Sequence, residues 1–300
     1  MDDTKTVSLW KREYLGRGLV MVSAAALILL VLAIGCFLLA KGTETFTVFS
    51  HPVSEFLFSA KWAPSDTEAG GGSVGALIFI TGSILTCLIS LVIAVPFAIS
   101  TAIFMTQISP ALGEKYIRPA VEIFVGIPSV VYGWVGLVVL VPLIREIFHV
   151  PHGQSVLAAG VVLAVMIYPT ITSVTADALR SVNGKIIEGA YGLGSTRWQM
   201  ISRVLLPAAW AGILTAIVLG LSRAFGEALA VSMVIGKMRA FPESLLSPTN
   251  NLTAAIASDM GGAMDGGEYN AALWTMALLL FVISLLFILV IHGLGKKSEQ

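Results

Sequence analysis

Charge is scarce in this chain. Of its 300 residues 12% are charged and 56% hydrophobic, where a soluble domain carries about a quarter charged. With a mean hydropathy of +0.89, that scarcity excludes an ordinary soluble globular protein and indicates a chain that crosses a membrane several times. The 18 basic and 18 acidic residues cancel, which leaves no cationic surplus for nucleic acid. Cysteine is nearly missing: Cys36 and Cys87 both lie in apolar runs, so neither a disulfide framework nor a metal cluster is expected. No G-x4-GK-[ST] occurs, so any ATP used must be hydrolysed by another chain. No H-E-x-x-H or paired histidine-carboxylate spacing falls in an apolar segment, which argues against an intramembrane enzyme. Gly192 and Gly194 lack both a preceding strand and a third glycine, and dinucleotide binding is not supported. Asp259, Asp265 and Glu268 do not have EF-hand spacing, and their glycine-rich loop reads as a hydrated outward one. No cofactor or metal is expected.

What is present is a set of apolar runs. Six are long enough to span: Leu19–Ala40, Val74–Ala102, Ile117–Leu143, Ser155–Ala176, Ala208–Ile235 and Ala271–His292. At 1.5 Å per residue, about twenty residues cross the hydrocarbon. Pro96 and Pro128 interrupt the second and third runs and predict kinks. The first run continues past Cys36 without a small-x-small cleavage site, so it reads as an uncleaved span rather than a signal peptide.

Lysine and arginine set the expected orientation. Twelve lie in the N-terminus, the second-to-third and fourth-to-fifth loops and the tail, while the alternate loops hold five. The positive-inside rule places both termini and the fourth-to-fifth loop in the cytoplasm. The expected organisation is a cytoplasmic N-terminal segment 1–18, a first span 19–40, a periplasmic loop 41–73, a core 74–292 with five further spans, and a cytoplasmic tail 293–300. The loop 41–73 ends in Gly70-Gly71-Gly72, read as a flexible joint.

The longest polar-rich stretch on the cytoplasmic side is Glu188–Pro207, EGAYGLGSTRWQMISRVLLP. Gly192 and Gly194 end a first short helix. Thr196 with Gln199 three residues on has the spacing of a capping box and begins a second, on which Trp198, Ser202 and Leu205 are expected to share a face. Glu188, Ala190, Gly194, Leu206 and Pro207 in this register resemble the EAA loop of ABC-importer permeases, with Gly189 standing where the pattern has alanine and Val204 where it has isoleucine. The resemblance implies a coupling helix seated on a cytoplasmic ATPase, carried by Glu188, Gly189, Ala190, Gly194, Leu206 and Pro207.

Three ionisable residues fall inside the runs: Glu122, Arg223 and Glu227. A charge at a helix centre costs about 2.5–3.5 kcal/mol on insertion scales, so each needs a partner or water. Arg223 and Glu227 are four apart and could pair on one helical face, or that face lines a path in which the guanidinium meets an anion. Gly126 and Pro128 would break a helix at membrane depth, with Ser129 and Tyr132 supplying hydroxyls beside the break. Glu122-x3-Gly126-Ile127-Pro128-Ser129-Val130-Val131-Tyr132-Gly133 and Gly220-Leu221-Ser222-Arg223-Ala224-Phe225-Gly226-Glu227-Ala228 resemble two signatures of phosphate ABC permeases, nearer the PstC than the PstA subunit. That resemblance implies an all-α, six-helix permease of the type I, MetI-like fold in a bacterial inner membrane, with Arg223, Glu227, Glu122, Ser129 and Tyr132 on the substrate pathway. Implied partners are a homologous permease (PstA-like), two ATPase subunits (PstB-like) and a periplasmic phosphate-binding protein (PstS-like). Alternatives from the same residues are another oxyanion (sulfate, molybdate or phosphonate) or a membrane sensor of phosphate.

Overall fold

The computed structural model describes residues 3–298, with side-chain surroundings from residue 16 to 291 and at 293. Helix α1 (Asp3–Gly42) leads into two short helices, α2 (Glu44–Thr47) and α3 (Val53–Phe58), and a two-stranded antiparallel ladder of β1 (Trp62–Ala63) and β2 (Ser73–Val74), with Trp62 opposite Val74. Helix α4 (Leu77–Ile103) follows and extends as a wide π turn to Ile108. A connector holds α5 (Pro110–Leu112), a π turn over Gly113–Ile117 and α6 (Arg118–Gly126). Then come α7 (Ser129–Val135), a π turn over Gly136–Leu140 and α8 (Val141–Phe148), which together make one 20-residue apolar rod. Helix α9 (Val156–Ser181) precedes the polar segment, which is α10 (Gly184–Gly192), α11 (Arg197–Met200), a π turn over Ile201–Leu205 and α12 (Leu206–Ala208). The chain closes with α13 (Trp210–Gly226), α14 (Leu229–Val234), α15 (Leu252–Asp259) and α16 (Glu268–Ser298).

Among the described residues five helical rods are long and apolar enough to cross a membrane, and a sixth is counted if Arg197–Ala208 and Trp210–Gly226 are taken together across their 69° bend. Two of the expected spans differ in outline. The run Ile117–Leu143 is not one helix: α6 ends at Gly126, and Ile127, held extended (φ −70°, ψ 127°) by the proline after it, separates it from α7. A residue before proline is pushed out of the helical region, and Pro128 has no N–H to continue the ladder. The spanning rod is therefore Ser129–Phe148. The run Ala208–Ile235 breaks after Gly226, where Glu227 turns extended (ψ 115°) and α14 starts afresh. Helix α4, by contrast, continues through Pro96.

Small residues set the central packing, as in other membrane bundles where close backbone approach replaces a hydrophobic driving force. Ala94, Ala98, Ala158 and Ala159 are buried between α4 and α9. A methyl on Gly160 would lie 2.5 Å from the Ile89 side chain, and one on Gly220 of α13 would lie 2.6 Å from Ile171. Helix α1 packs along α16, with Phe37 edge-on to Trp274 at 5.2 Å, and leaves residues such as Leu27 and Leu29 exposed to the surrounding lipid.

The loop 41–73 is not a flexible arm. It folds, with α15 and the start of α16, around Phe56, Trp62, Phe79, Leu252, Leu273 and Met276. Glu268, expected in a hydrated loop, is fully buried at its centre. Its carboxylate accepts from the backbone N–H groups of Ser65 (2.6 Å), Gly72 (2.9 Å) and Gly71 (3.1 Å), and from His51 Nε2 (2.6 Å). Gly70 and Gly71 have φ of +68° and +97°, the left-handed region that only glycine enters cheaply. That conformation turns consecutive N–H groups inward as an anion nest. The glycine run is folded around a charge.

Candidate functional site: a junction of two broken helices and a polar helical segment

The two breaks meet. The half-helix after the first, α7, packs on the half-helix after the second, α14: a methyl on Gly133 would fall 2.7 Å from Ala230 Cα and 2.8 Å from Met233 Sδ. Gly136 lies the same way against Val162 and Val234. Both half-helices lack an upstream turn, so their first N–H groups need partners. Glu227 supplies one, its Oε1 accepting from Ala230 N at 3.0 Å. The freed Glu227 carbonyl accepts from Thr253 Oγ1 at 2.8 Å, and the freed Phe124 carbonyl accepts from the Tyr132 hydroxyl at 2.7 Å. Ser129 is half-buried at the first position of α7.

Arg223 stands on the last turn of α13. The expected i,i+4 pairing with Glu227 does not form, because the helix ends at Gly226 and carries Glu227 off the shared face. Arg223 Nη1 instead donates to Thr170 Oγ1 on α9 at 3.0 Å. A guanidinium has five N–H donors in a planar fork, and one is accounted for by Thr170, so the group retains donors for an oxyanion. Thr170 had no signal in the sequence beyond its hydroxyl.

Glu122 is elsewhere. It is exposed on α6 and accepts from Arg118 Nε at 3.1 Å, whereas Arg223 donates to Thr170 of α9. The structure thus brings Arg223, Tyr132, Ser129 and Glu227 to the junction and leaves Glu122 out of it.

The polar segment has the two short helices that the glycines and the capping box predict. Thr196 and Gln199 cap each other's backbone as that spacing requires, and Gly194 sits at φ +80°. Ala190 is buried with Met200, Ile201 and Leu205 against the ends of α4, α9 and α13, while Glu188 and Gly189 are exposed. Trp198 and Leu205 do not share a face. The π turn between them is one residue wider than an α turn and rotates Leu205 inward to full burial, leaving Trp198 67% exposed. With Leu193 and Tyr191, Trp198 forms an apolar outer surface. Pro207 stands in the short helix before the bend at Ala209. Arg197, missed by sequence reasoning, donates from Nη2 to the carbonyls of Ile108 (2.9 Å) and Gln107, tying the segment to the end of α4.

Apolar rods, two of them interrupted at a common junction, with an amphipathic helical pair hinged at one end, are the architecture of a multi-pass membrane transport permease. Residues 94–299 match the family described as binding-protein-dependent transport system inner membrane component, and the chain belongs to it. It is 48% identical over 94% of its length to the probable ABC transporter permease protein YqgH of Bacillus subtilis, covering 91% of that protein. It is 36% identical to the phosphate transport system permease protein PstC of Haemophilus influenzae, over 82% of each chain. Among solved structures it resembles the MetNI methionine ABC transporter in an inward-facing form, with a TM-score of 0.53 at 21% identity over 71% of this chain and 91% of that one. That likeness bears out the MetI-like fold.

Proposed function

We propose that this chain is the PstC-like permease subunit of an importer that moves inorganic phosphate into the cytoplasm by ATP-driven alternating access. Its relatives named for phosphate transport support the cargo. The observation that carries the mechanism is the placement of one permanent cation, Arg223, beside the junction of two broken helices. Interrupted helices at membrane depth are tolerated where protein or a watery cavity satisfies the freed backbone, and such junctions are where transporters bind cargo. A single arginine offers an oxyanion weak, reversible stabilisation, which suits passage rather than capture; affinity then belongs to a periplasmic PstS-like binding protein. Glu227 holds the start of α14, Tyr132 holds the end of α6, and Ser129 lies beside both, so these three position the break through which Arg223 is reached.

The partners are a PstA-like permease and two PstB-like ATPases. The ATPases would seat Glu188, Gly189, Ala190 and Gly194 together with the exposed Leu193 and Trp198, and Leu206-Pro207 would pass their movement through the Ala209 bend into α13, which bears Arg223. The excess of lysine and arginine places both termini and this segment in the cytoplasm.

The test is uptake of labelled phosphate by the reconstituted four-component system, with arsenate, sulfate and molybdate in excess. Arsenate alone should compete, and Arg223→Ala should lower uptake at least a hundredfold while the complex still co-purifies. Competition by sulfate or molybdate discards phosphate as the cargo. Loss of assembly in Arg223→Ala discards the pathway role in favour of a packing one.

A further inference from the structure

Helix α9 carries a second feature that the junction does not use. Its accessible polar residues Thr170, Ser173 and Asp177 recur at spacings of three and four, one face of a helix, while Ile167, Ile171 and Leu179 beside them are fully buried. Thr170 is the residue that receives Arg223. Ten residues on, about 15 Å along the axis, the face ends at Arg180. There a small cavity of about 70 Å³ is lined by Ser173, Asp177 and Arg180 of α9, by Arg118 and Glu122 of α6, and by the apolar Met105, Val121 and Ala176.

The charges around it are shared. Glu114, in the π turn before α6, bridges two guanidinia: Oε2 takes Arg118 Nη1 at 3.1 Å and Oε1 takes Arg180 Nη2. Glu122 takes Arg118 Nε at 3.1 Å, and Asp177 lies 3.6 Å from Arg180 Nη1. Two arginines therefore face three carboxylates, and the cavity as it stands is no place for a second anion. Each member is partly solvated, at 33% to 72% exposure, and ion pairs so exposed are weak and exchangeable. A carboxylate spanning two guanidinia has the geometry in which those guanidinia would hold a phosphate oxyanion.

We propose that Arg118 and Arg180 form an exit station for the anion, occupied by Glu114 in this state and vacated when cargo arriving from Arg223 along the α9 face displaces it. This rests on the phosphate-importer reading. Glu114 acts as a resident competitor: it keeps the two cations from trapping phosphate, and its return releases the ion to the cytoplasm. Glu122 and Asp177 hold the side chains in place by their second contacts. A free phosphate ion and a lipid headgroup carry the same chemistry; the polar face leading from Arg223 favours the free ion.

The test is trans-inhibition in the complete transporter reconstituted in phosphatidylcholine vesicles, as initial uptake of labelled phosphate against graded unlabelled phosphate entrapped inside. Glu114→Gln removes the competitor and should lower the entrapped phosphate needed for half-inhibition at least threefold. Arg180→Gln should raise it at least threefold, and Arg180→Lys, which keeps the charge but loses the planar fork, should fall between wild type and Arg180→Gln. Arg118→Gln should follow Arg180→Gln and covers a failure of Arg180→Gln to assemble. If the cluster were a mere latch, Glu114→Gln and Arg180→Gln would break the same pair and shift together, which overturns the proposal, as does no shift in either. A response that follows added phosphatidylglycerol instead of entrapped phosphate overturns the cargo assignment in favour of lipid. Absence of phosphate uptake by the wild-type complex refutes the importer reading itself, a separate result.

Discussion

Replacing Glu268 by glutamine should open the cap that the loop 41–73 forms around it. The carboxylate is fully buried and accepts four hydrogen bonds, three from backbone N–H groups and one from His51. Glutamine keeps the shape but exchanges one acceptor oxygen for an NH₂ that faces donors. It also removes the negative charge opposite the imidazole. Hydrogen bonds to a charged group contribute about 1.5–3 kcal/mol each, and stripping one partner from a buried pair costs about 3–5 kcal/mol. The lower figure is enough to decide the outcome: about 3 kcal/mol, at about 1.4 kcal/mol per factor of ten, shifts the local opening equilibrium roughly a hundredfold. The assay is hydrogen exchange of the amides of Ser65, Gly71 and Gly72 in detergent, read against amides of α9 as an internal standard. Exchange at those three should accelerate a hundredfold or more while α9 is unchanged. Acceleration under threefold would refute the view that a charge organises the cap and leave the apolar residues around Trp62 as its sole support.

Two further outcomes follow from particular contacts. Gly133→Ala would drive a methyl into Ala230 Cα and Met233 Sδ; since backbone cannot retreat cheaply there, overpacking should cost about 1–3 kcal/mol. It should lower phosphate transport far more than Gly126→Ala, whose methyl meets nothing within 4 Å. His51 offers a pH test. Burial works against its charge, but hydrogen bonds to Glu268 and Glu55 outweigh that and raise its pKa above the usual 6.5. A raised folded-state pKa contributes stability fully below the unfolded value and loses it as pH climbs through the folded one. Cap protection in the exchange assay should therefore be greatest below about pH 6.5 and fall as the medium becomes alkaline, and His51→Gln should flatten that dependence.

The sequence announces the spans because long apolar runs admit few other fates, and it announces the first break because proline acts locally on Ile127. The second break was hidden: Arg223 and Glu227 are spaced as a helical pair, which masks the end of the helix at Gly226. Its signal lay in the acidic side chain three residues before Ala230, poised to cap a new helix. Glu268 was hidden for the opposite reason. Its partners are backbone N–H groups about 200 residues away in the chain, which no side-chain pattern reports, and three glycines read equally as slack or as a nest. The capping box of the polar segment 188–207 was legible because it is contained in four residues. The exit cluster was half legible: Glu114, Arg118 and Glu122 stand at i,i+4 spacing, but only the fold delivers Arg180.

The nest also orders events in time. Ser65 leaves the ribosome 203 residues before the glutamate it needs. At about 5–20 residues per second, the outer loop waits roughly 10–40 seconds with its amides unmatched. It can close only after the last rod has entered the bilayer with Glu268 on the correct side. Closure of the cap is thus a record that insertion has finished, and a chain truncated before α16, or threaded with that helix inverted, would display an open loop outside the membrane for quality-control proteases to find.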